Sequence, residues 1–470
     1  MKSATASRLF VLSLLALAIC AIAALSFAPA TLAQGGEPRF FAIKDARIVP
    51  VAGPVLEKGT VVVADGLIKA VGVDVAIPPE ALVIDGSGLT VYPGLIDSGA
   101  QVGLPAPEAE GPPAATGRGR RARPAPEKIA MGPEDRPATT PWNVAANDLN
   151  PDDSRIGDWR NAGFTTVLVA PQGGTFPGQD SLIDLGDERA GQMVVKSRAA
   201  LPISFDPTGG FFSFPGSLMG SVAYIRQVFI DTRWYQDAES VYSAHHDGLE
   251  RPPYDHTEVV LGQALKDNEL ILLPGNRELE VYRSIRLANE WQIHAAMYGG
   301  QDGYEMASVI ASSKIPMFVN VNWPTMPKEG DTDSYMLREL RLWDRAPSSP
   351  AELTKAGVLY AFYSGGPKEP GEILKNVKKA INKGLSSDDA LKALTLNPAQ
   401  ILGVADRLGS IEPGKIANLV VADGDLFGEK TKIKDVFVDG MRYQIHEEAP
   451  PSPPGAPAKP MQKANEGVQQ

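Results

Sequence analysis

The feature that most constrains this 470-residue chain is a long alternation of strand and helix text with strand text alone at either end. In the middle, short β-branched or apolar runs fall at residues 164–170, 270–273, 292–297, 317–321 and 358–362. Helical spacing of apolar residues separates them over 154–162, 221–234, 257–265, 277–291, 304–312 and 372–383. Repetition of this kind over about 300 residues predicts a parallel α/β body, either a closed barrel or an open sheet. The flanks read differently. Residues 42–49, 59–64, 67–72 and 81–85 are strands, with Asp65-Gly66 as a hairpin turn, and strand text returns at 417–422 and 433–440. The reading is one small β-domain built from both ends (38–92 and 404–446) around a body spanning 93–403.

The first 33 residues have the order of a Sec signal peptide: Lys2 and Arg8, an apolar run over 9–27, then Ala28-Pro29-Ala30-Thr31-Leu32-Ala33. Cleavage is expected after Ala33 or Ala30, giving a periplasmic or extracellular protein. The run is also long enough for an uncleaved anchor. A lipid anchor on Cys20 is excluded because Ile19 stands where a small residue is required. Cys20 is the only cysteine, so the exported chain has no disulfide, thiolate zinc site or dithiol pair. Acidic residues outnumber basic ones 56 to 45, which argues against a nucleic-acid partner, and no membrane association is expected after cleavage. Residues 105–141, with their Arg cluster at 117–123, read as a solvated, disordered insertion, and the Pro-rich tail 447–470 likewise.

Three stretches carry a family resemblance. They are residues 57–63 with 65–72, the motif Val91-Tyr92-Pro93-Gly94-Leu95-Ile96-Asp97, and the C-terminal pair 390–399 and 408–415 followed by Leu419-Val420-Val421. In order and spacing they resemble the amidohydrolase superfamily, in its imidazolonepropionase-like exported branch, across roughly residues 40–445. The resemblance implies a (β/α)8 TIM-like barrel flanked by a small β-sandwich domain made from both chain ends. It also implies zinc or another divalent metal at the C-terminal ends of the barrel strands, lowering the pKa of a bound water. The family ligands are a His-x-His pair after the first strand, one His on each of two middle strands, and an Asp after the last. Here Gly99 and Gln101 stand at the paired positions, Pro274 at a middle strand, and Gly365 lies in the stretch after the last strand. These read as degenerate ligand positions lining the barrel mouth, with no catalytic residue and no metal cofactor.

His294, in the run 292–297, is the remaining histidine on strand text. It reads as a hydrogen-bonded core residue, with a middle-strand metal ligand or a residual pocket residue as the alternative. His245-His246-Asp247 and His256 read as loop residues, Gly173 to Gln179 as a mouth loop without the lysine of a phosphate loop, and 210–216 as an aromatic rim or cover. Absence of Gly-x-Ser-x-Gly removes a serine-elbow hydrolase. Three functions follow. The first is a non-catalytic subunit or partner of an active amidohydrolase homologue. The alternatives are a hydrolase of non-peptide C–N bonds using an altered site, with His294 and Gln101, and an extracytoplasmic binding protein for a small molecule or peptide.

Overall fold

The computed structural model describes residues 40–105, 136, 138–187, 189–207, 215–325, 335–365 and 369–445. The leader 1–33, the Arg cluster, most of the aromatic stretch 210–216 and the tail 447–470 lie outside the described residues.

The first described elements are β1 (Phe40–Ile48), β2 (Leu56–Ala64), β3 (Leu67–Gly72), β4 (Leu82–Asp85) and β5 (Thr90–Pro93). A second set follows: β6 (Leu95–Ala100), β7 (Phe164–Val169), β8 (Asp180–Asp184), β9 (Val194–Pro202), β10 (Ile271–Gly275), β11 (Ala295–Gly299), β12 (Met317–Asn320) and β13 (Tyr360–Tyr363). The C-terminal region adds β14 (Leu419–Ala422), β15 (Ile433–Val438) and β16 (Met441–Gln444). β1–β5 and β14–β16 share one hydrogen-bonded sheet, in which β5 pairs antiparallel with β14, so both chain ends build it. Asp65 and Gly66 both have positive φ (50° and 78°), the backbone of a two-residue type I′ turn between β2 and β3. The handover to the other sheet is the single residue Gly94. Its N–H donates to Asn418 O at 2.8 Å, and any side chain there would run into Thr165.

β6 to β13 form a nearly closed eight-stranded barrel sheet in sequence order. At the seam Gly365 N donates to Gly99 O at 3.1 Å, joining the segment after β13 to β6. One strand departs from the expected parallel arrangement: β8 runs antiparallel to both β7 and β9. The connections explain it. Residues 170–179 contain no helix and 185–193 only a four-residue one, whereas a parallel crossover needs a dozen or more residues, usually helical. Crossover helices do join β10 to β11 (Glu278–Trp291) and β11 to β12 (Gly303–Ser313). Glu278–Trp291 buries Val281, Ser284, Leu287, Ala288 and Trp291 at helical spacing. It starts with Glu280 accepting from the N–H groups of Asn276 and Arg277, and ends at Gln292 with φ 54°.

The barrel interior takes one buried side chain from every strand: Ile96, Leu168, Leu182, Ala200, Leu272, Ala296, Phe318 and Ala361. From Leu182 round to Ala361 large and small residues alternate, which lets the side chains interdigitate across the layer. Below it, toward the terminal sheet, Asp184 accepts from Thr166 Oγ1 (2.6 Å) and Asn418 Nδ2 (2.9 Å). Burial and the nearby Asp439 charge hold the Asp184 carboxyl well above the ordinary carboxylate range. This polar contact ties the barrel to the terminal sheet.

The end of the 105–141 segment corrects the sequence reading. Thr139 is buried and bridges to Phe176, with its hydroxyl 2.6 Å from Tyr224 Oη. Arg136 is buried as well. It contacts Asp231 (3.1 Å) on the helix Leu218–Ala244, Asp255 (3.7 Å), and Glu258 on the helix His256–Lys266. The reason is Coulombic: three carboxylates from two packed helices need a cation, and Arg136 supplies it. Burial raises the Glu258 carboxyl to about 7, although the Thr232 hydroxyl and Arg136 pull it down.

Candidate functional site at the barrel mouth

Successive side chains on a strand point to opposite faces, so residues two positions beyond the interior ring form the next layer toward the mouth. From Ile96, Leu182, Leu272, Ala296, Phe318 and Ala361 that rule gives Ser98, Asp180, Pro274, Tyr298, Asn320 and Tyr363. β8 is antiparallel, so its first residue rather than its last belongs to this end. Four of the six line a cavity of about 220 Å³, together with Phe205, Asp206, Asn276, Glu280, Gly299 and Gln301. The strand ends thus converge on a small pocket at the C-terminal end of the barrel, where active sites of this architecture lie.

Gly99 lies against Tyr363: a Cβ built there would be 3.0 Å from Tyr363 Cδ2. The phenol side chain therefore fills the space beside the first expected ligand position. Its hydroxyl hydrogen-bonds the Asn320 side chain, and burial raises its pKa to about 12. Gln101 spends its amide on the end of β7, donating to Ala170 O at 3.1 Å. Pro274 is the next-to-last residue of β10 and part of the cavity wall. Gly365 has φ 65°, with Asn320 Nδ2 2.9 Å from the place a Cβ would take, so that position suits glycine.

His294 is placed elsewhere. It precedes β11, at the N-terminal end of the barrel, and its carbonyl accepts from Ile271 N. The ring is exposed, with Nδ1 3.2 Å from Asn268 O, so it is neither a core histidine nor a mouth residue. The helix before it ends in the left-handed Gln292, and the chain is still a connection at His294. His245 and His246 are exposed beyond the helix Leu218–Ala244, while His256 stacks on Trp142 at 4.7 Å. Among the described residues, no group of three or more His, Cys, Asp or Glu is gathered so as to hold a metal ion.

Sequence reasoning missed the carboxyls that matter here. Asp97, two residues before Gly99, is buried and accepts from Gly99 N (3.2 Å), Ser364 N (2.9 Å) and Trp159 Nε1 (3.2 Å). It clamps β6 to the segment after β13. Burial raises it to about 6 against the pull of those donors. Asp180 is buried with no offsetting donor, and burial alone holds its carboxyl well above the ordinary range. Period-two counting from Leu182 would have placed Asp180 inward had β8 been recognised as a strand.

The comparisons with known proteins agree with this architecture. Residues 351–442 match the amidohydrolase family. A solved amidohydrolase from Thermotoga maritima superposes with a TM-score of 0.70 at 26% identity, over 86% of this chain and 100% of that one. An N-substituted formamide deformylase from Arthrobacter pascens is 36% identical over 103 residues, 20% of this chain and 17% of that protein. An adenine deaminase from Moorella thermoacetica is 32% identical over 113 residues, 22% of this chain and 18% of that protein. The matches to these two curated relatives therefore span less than a fifth of the relatives' length. In its fold and in these likenesses the chain is similar to the amidohydrolase superfamily.

Proposed function

We propose that this chain is an amidohydrolase-superfamily protein whose barrel mouth does not assemble a hydrolytic metal centre, and that it works as a non-catalytic subunit or partner of an active homologue. The observation that carries this reading is the Tyr363 side chain packed against Gly99, at the position where the family places its first ligand. Gln101, Pro274 and Gly365 support it. An amide, an imino acid and a glycine replace imidazole and carboxylate, and a zinc ion needs three or four such donors. The residues at these positions do not fit the family's metal. Export to the periplasm or beyond belongs to the same reading, with the active homologue as an envelope protein.

The finer shape of the terminal sheet is part of the proposal. Three strand spacings separate β1 from β15, about 14 Å in a flat sheet. Yet the rings of Phe41 and Phe437 lie 5.4 Å apart in one core with Ile43, Val61 and Leu419. That supports a sheet bent over itself as a small sandwich.

The test is affinity capture of the full chain from its native envelope, followed by activity and identity of what comes with it. Recovery of a metal-containing amidohydrolase in fixed ratio supports the partner role. A chain recovered alone that hydrolyses C–N bonds by itself overturns it. The second reading, a hydrolase of non-peptide C–N bonds, is favoured by the formamide deformylase and adenine deaminase relatives. Assay of N-substituted formamides and adenine, with and without added zinc, decides between the two.

A further inference from the structure

The helix Leu218–Ala244 is seated on the molecule by one face, where Tyr224, Ile225, Val228, Phe229 and Tyr235 are buried. The opposite face of a helix that covers a core is ordinarily polar. This one is not. Positions 223, 227, 230, 234, 237, 241 and 244 are all exposed, and they follow the three- and four-residue spacing of a seam between two helices. They carry Ala, Gln, Ile, Trp, Asp, Val and Ala. Ile230, Trp234 and Val241 are 50%, 62% and 56% exposed, and Met219 at the start of the helix is 82% exposed. Single exposed apolar residues are ordinary, but a row of them along one helix marks a surface that another body covers. Beside the C-terminal half, Trp234, Val241 and Tyr242 line a groove of about 470 Å³ with Leu249 and Pro252 of the following loop.

The face is complementary to itself. Two such helices laid antiparallel about Thr232 bring Ile230 against Trp234 of the other copy, and Ala223 against Val241, a small residue beside a larger one. Gln227 then meets Asp237. The Gln227 amide donates one N–H to Asp231 Oδ1 at 2.7 Å, and its second N–H is a donor for the Asp237 carboxylate. Met219 falls opposite position 245 of the other copy, next to the groove. The charges near the axis are already engaged: Arg233 donates to Trp291 O at 3.0 Å and lies over that ring, and Asp231 pairs with Arg136 at 3.1 Å. A parallel pair would instead set Asp237 against Asp237 in an apolar seam, a repulsive contact. The area suffices. The 27-residue helix offers a strip about 40 Å long and about 12 Å wide, so two copies bury about 1,000 Å² in total, the lower end of specific interfaces. We propose that the chain forms an antiparallel two-fold dimer through the outer face of the helix Leu218–Ala244, with Ile230 and Trp234 at its centre. The dimer is independent of what the barrel mouth holds.

An interface of this size gives a micromolar dissociation constant, so sedimentation velocity of the full chain from about 1 to about 200 μM should pass from monomer to dimer. Trp234→Glu should weaken the dimer about tenfold or more, whereas Trp343→Glu, on another helix and 43% exposed, should leave it unchanged. If Trp234→Glu does not fold, Ile230→Glu should act in its place. Orientation is read by crosslinking. In a Cys20→Ser background, Ala223→Cys and Val241→Cys chains mixed in equal amounts should form a mixed disulfide on oxidation, and neither should pair with itself. A chain that stays monomeric overturns the inference, as does a dimer that survives the folded glutamate variants or is lost equally in Trp343→Glu. Disulfides of either cysteine variant with itself overturn the antiparallel arrangement. A monomeric chain whose Trp234 inserts into phosphatidylglycerol vesicles, or whose Trp234 is needed to capture a homologue, also overturns the inference and assigns the face to that occupant.

Discussion

Replacing Arg136 by Met tests whether the end of the 105–141 segment is held in place by charge. The guanidinium meets Asp231, Asp255 and Glu258, of which Asp255 and Glu258 are 5% and 2% exposed. Removing the cation leaves two buried carboxyls without their partner, a change that costs about 3–5 kcal/mol when a buried pair is broken. With an unfolding entropy of about 2 cal/mol/K per residue over roughly 400 residues, this lowers Tm by about 4–6 °C. The pH dependence gives the sharper signature. Glu258 has a raised folded-state pKa, from 4.5 to about 7, so its contribution is full below 4.5 and is lost as pH climbs through about 7. Without Arg136 the folded pKa rises further, and the loss at pH 8 grows. At pH 5 Glu258 is protonated with or without Arg136, and only Asp255 and Asp231 feel the change. Urea unfolding at pH 5 and pH 8 should therefore show a larger destabilisation at pH 8, and Glu258→Gln added to Arg136→Met should recover part of it. Equal destabilisation at both pH values, or none, would refute the electrostatic account.

Gly99→His, alone or with Gln101→His, should lower stability by about 1–3 kcal/mol, because the side chain must displace Tyr363. Thermal melts and zinc content check it, and neither variant is expected to gain zinc. Asp97→Ala should cost about 3 kcal/mol or more, since Trp159 Nε1 and Ser364 N lose a buried acceptor. Because Asp97 is raised to about 6, the parent should also lose stability between about pH 4 and 6, a step that is missing in the variant's pH–stability curve. Mass spectrometry of the envelope-associated chain should find an N-terminus at Gln34 or Thr31, and an intact Met1 would contradict export by cleavage.

The two-ended sheet and the barrel strands were legible because their signals are local. Val61-Val62-Val63 before Asp65-Gly66 marks a hairpin wherever it occurs. β8 and β9 were not legible: Asp180-Ser181-Leu182-Ile183-Asp184 has polar ends and follows a Gly-rich loop, and Val194–Pro202 is interrupted by Lys196-Ser197-Arg198, so neither was read as a strand. Two buried carboxyls at barrel strands, Asp97 and Asp180, looked like ordinary acids, since burial comes from neighbours far along the chain. The Arg136 cluster is the extreme case, with partners about 100 residues away on other elements. His294 failed for a directional reason. Apolar neighbours suggested a strand, but which end of the barrel it occupies depends on where the strand starts, one residue later.

The central claim is that the mouth formed around Gly99, Gln101, Pro274 and Gly365 does not hold the family's metal. Elemental mass spectrometry of the full chain, after equilibration with trace zinc and manganese and then dialysis, tests it directly. The account expects well under 0.1 metal per chain; a ratio near one or above would contradict it.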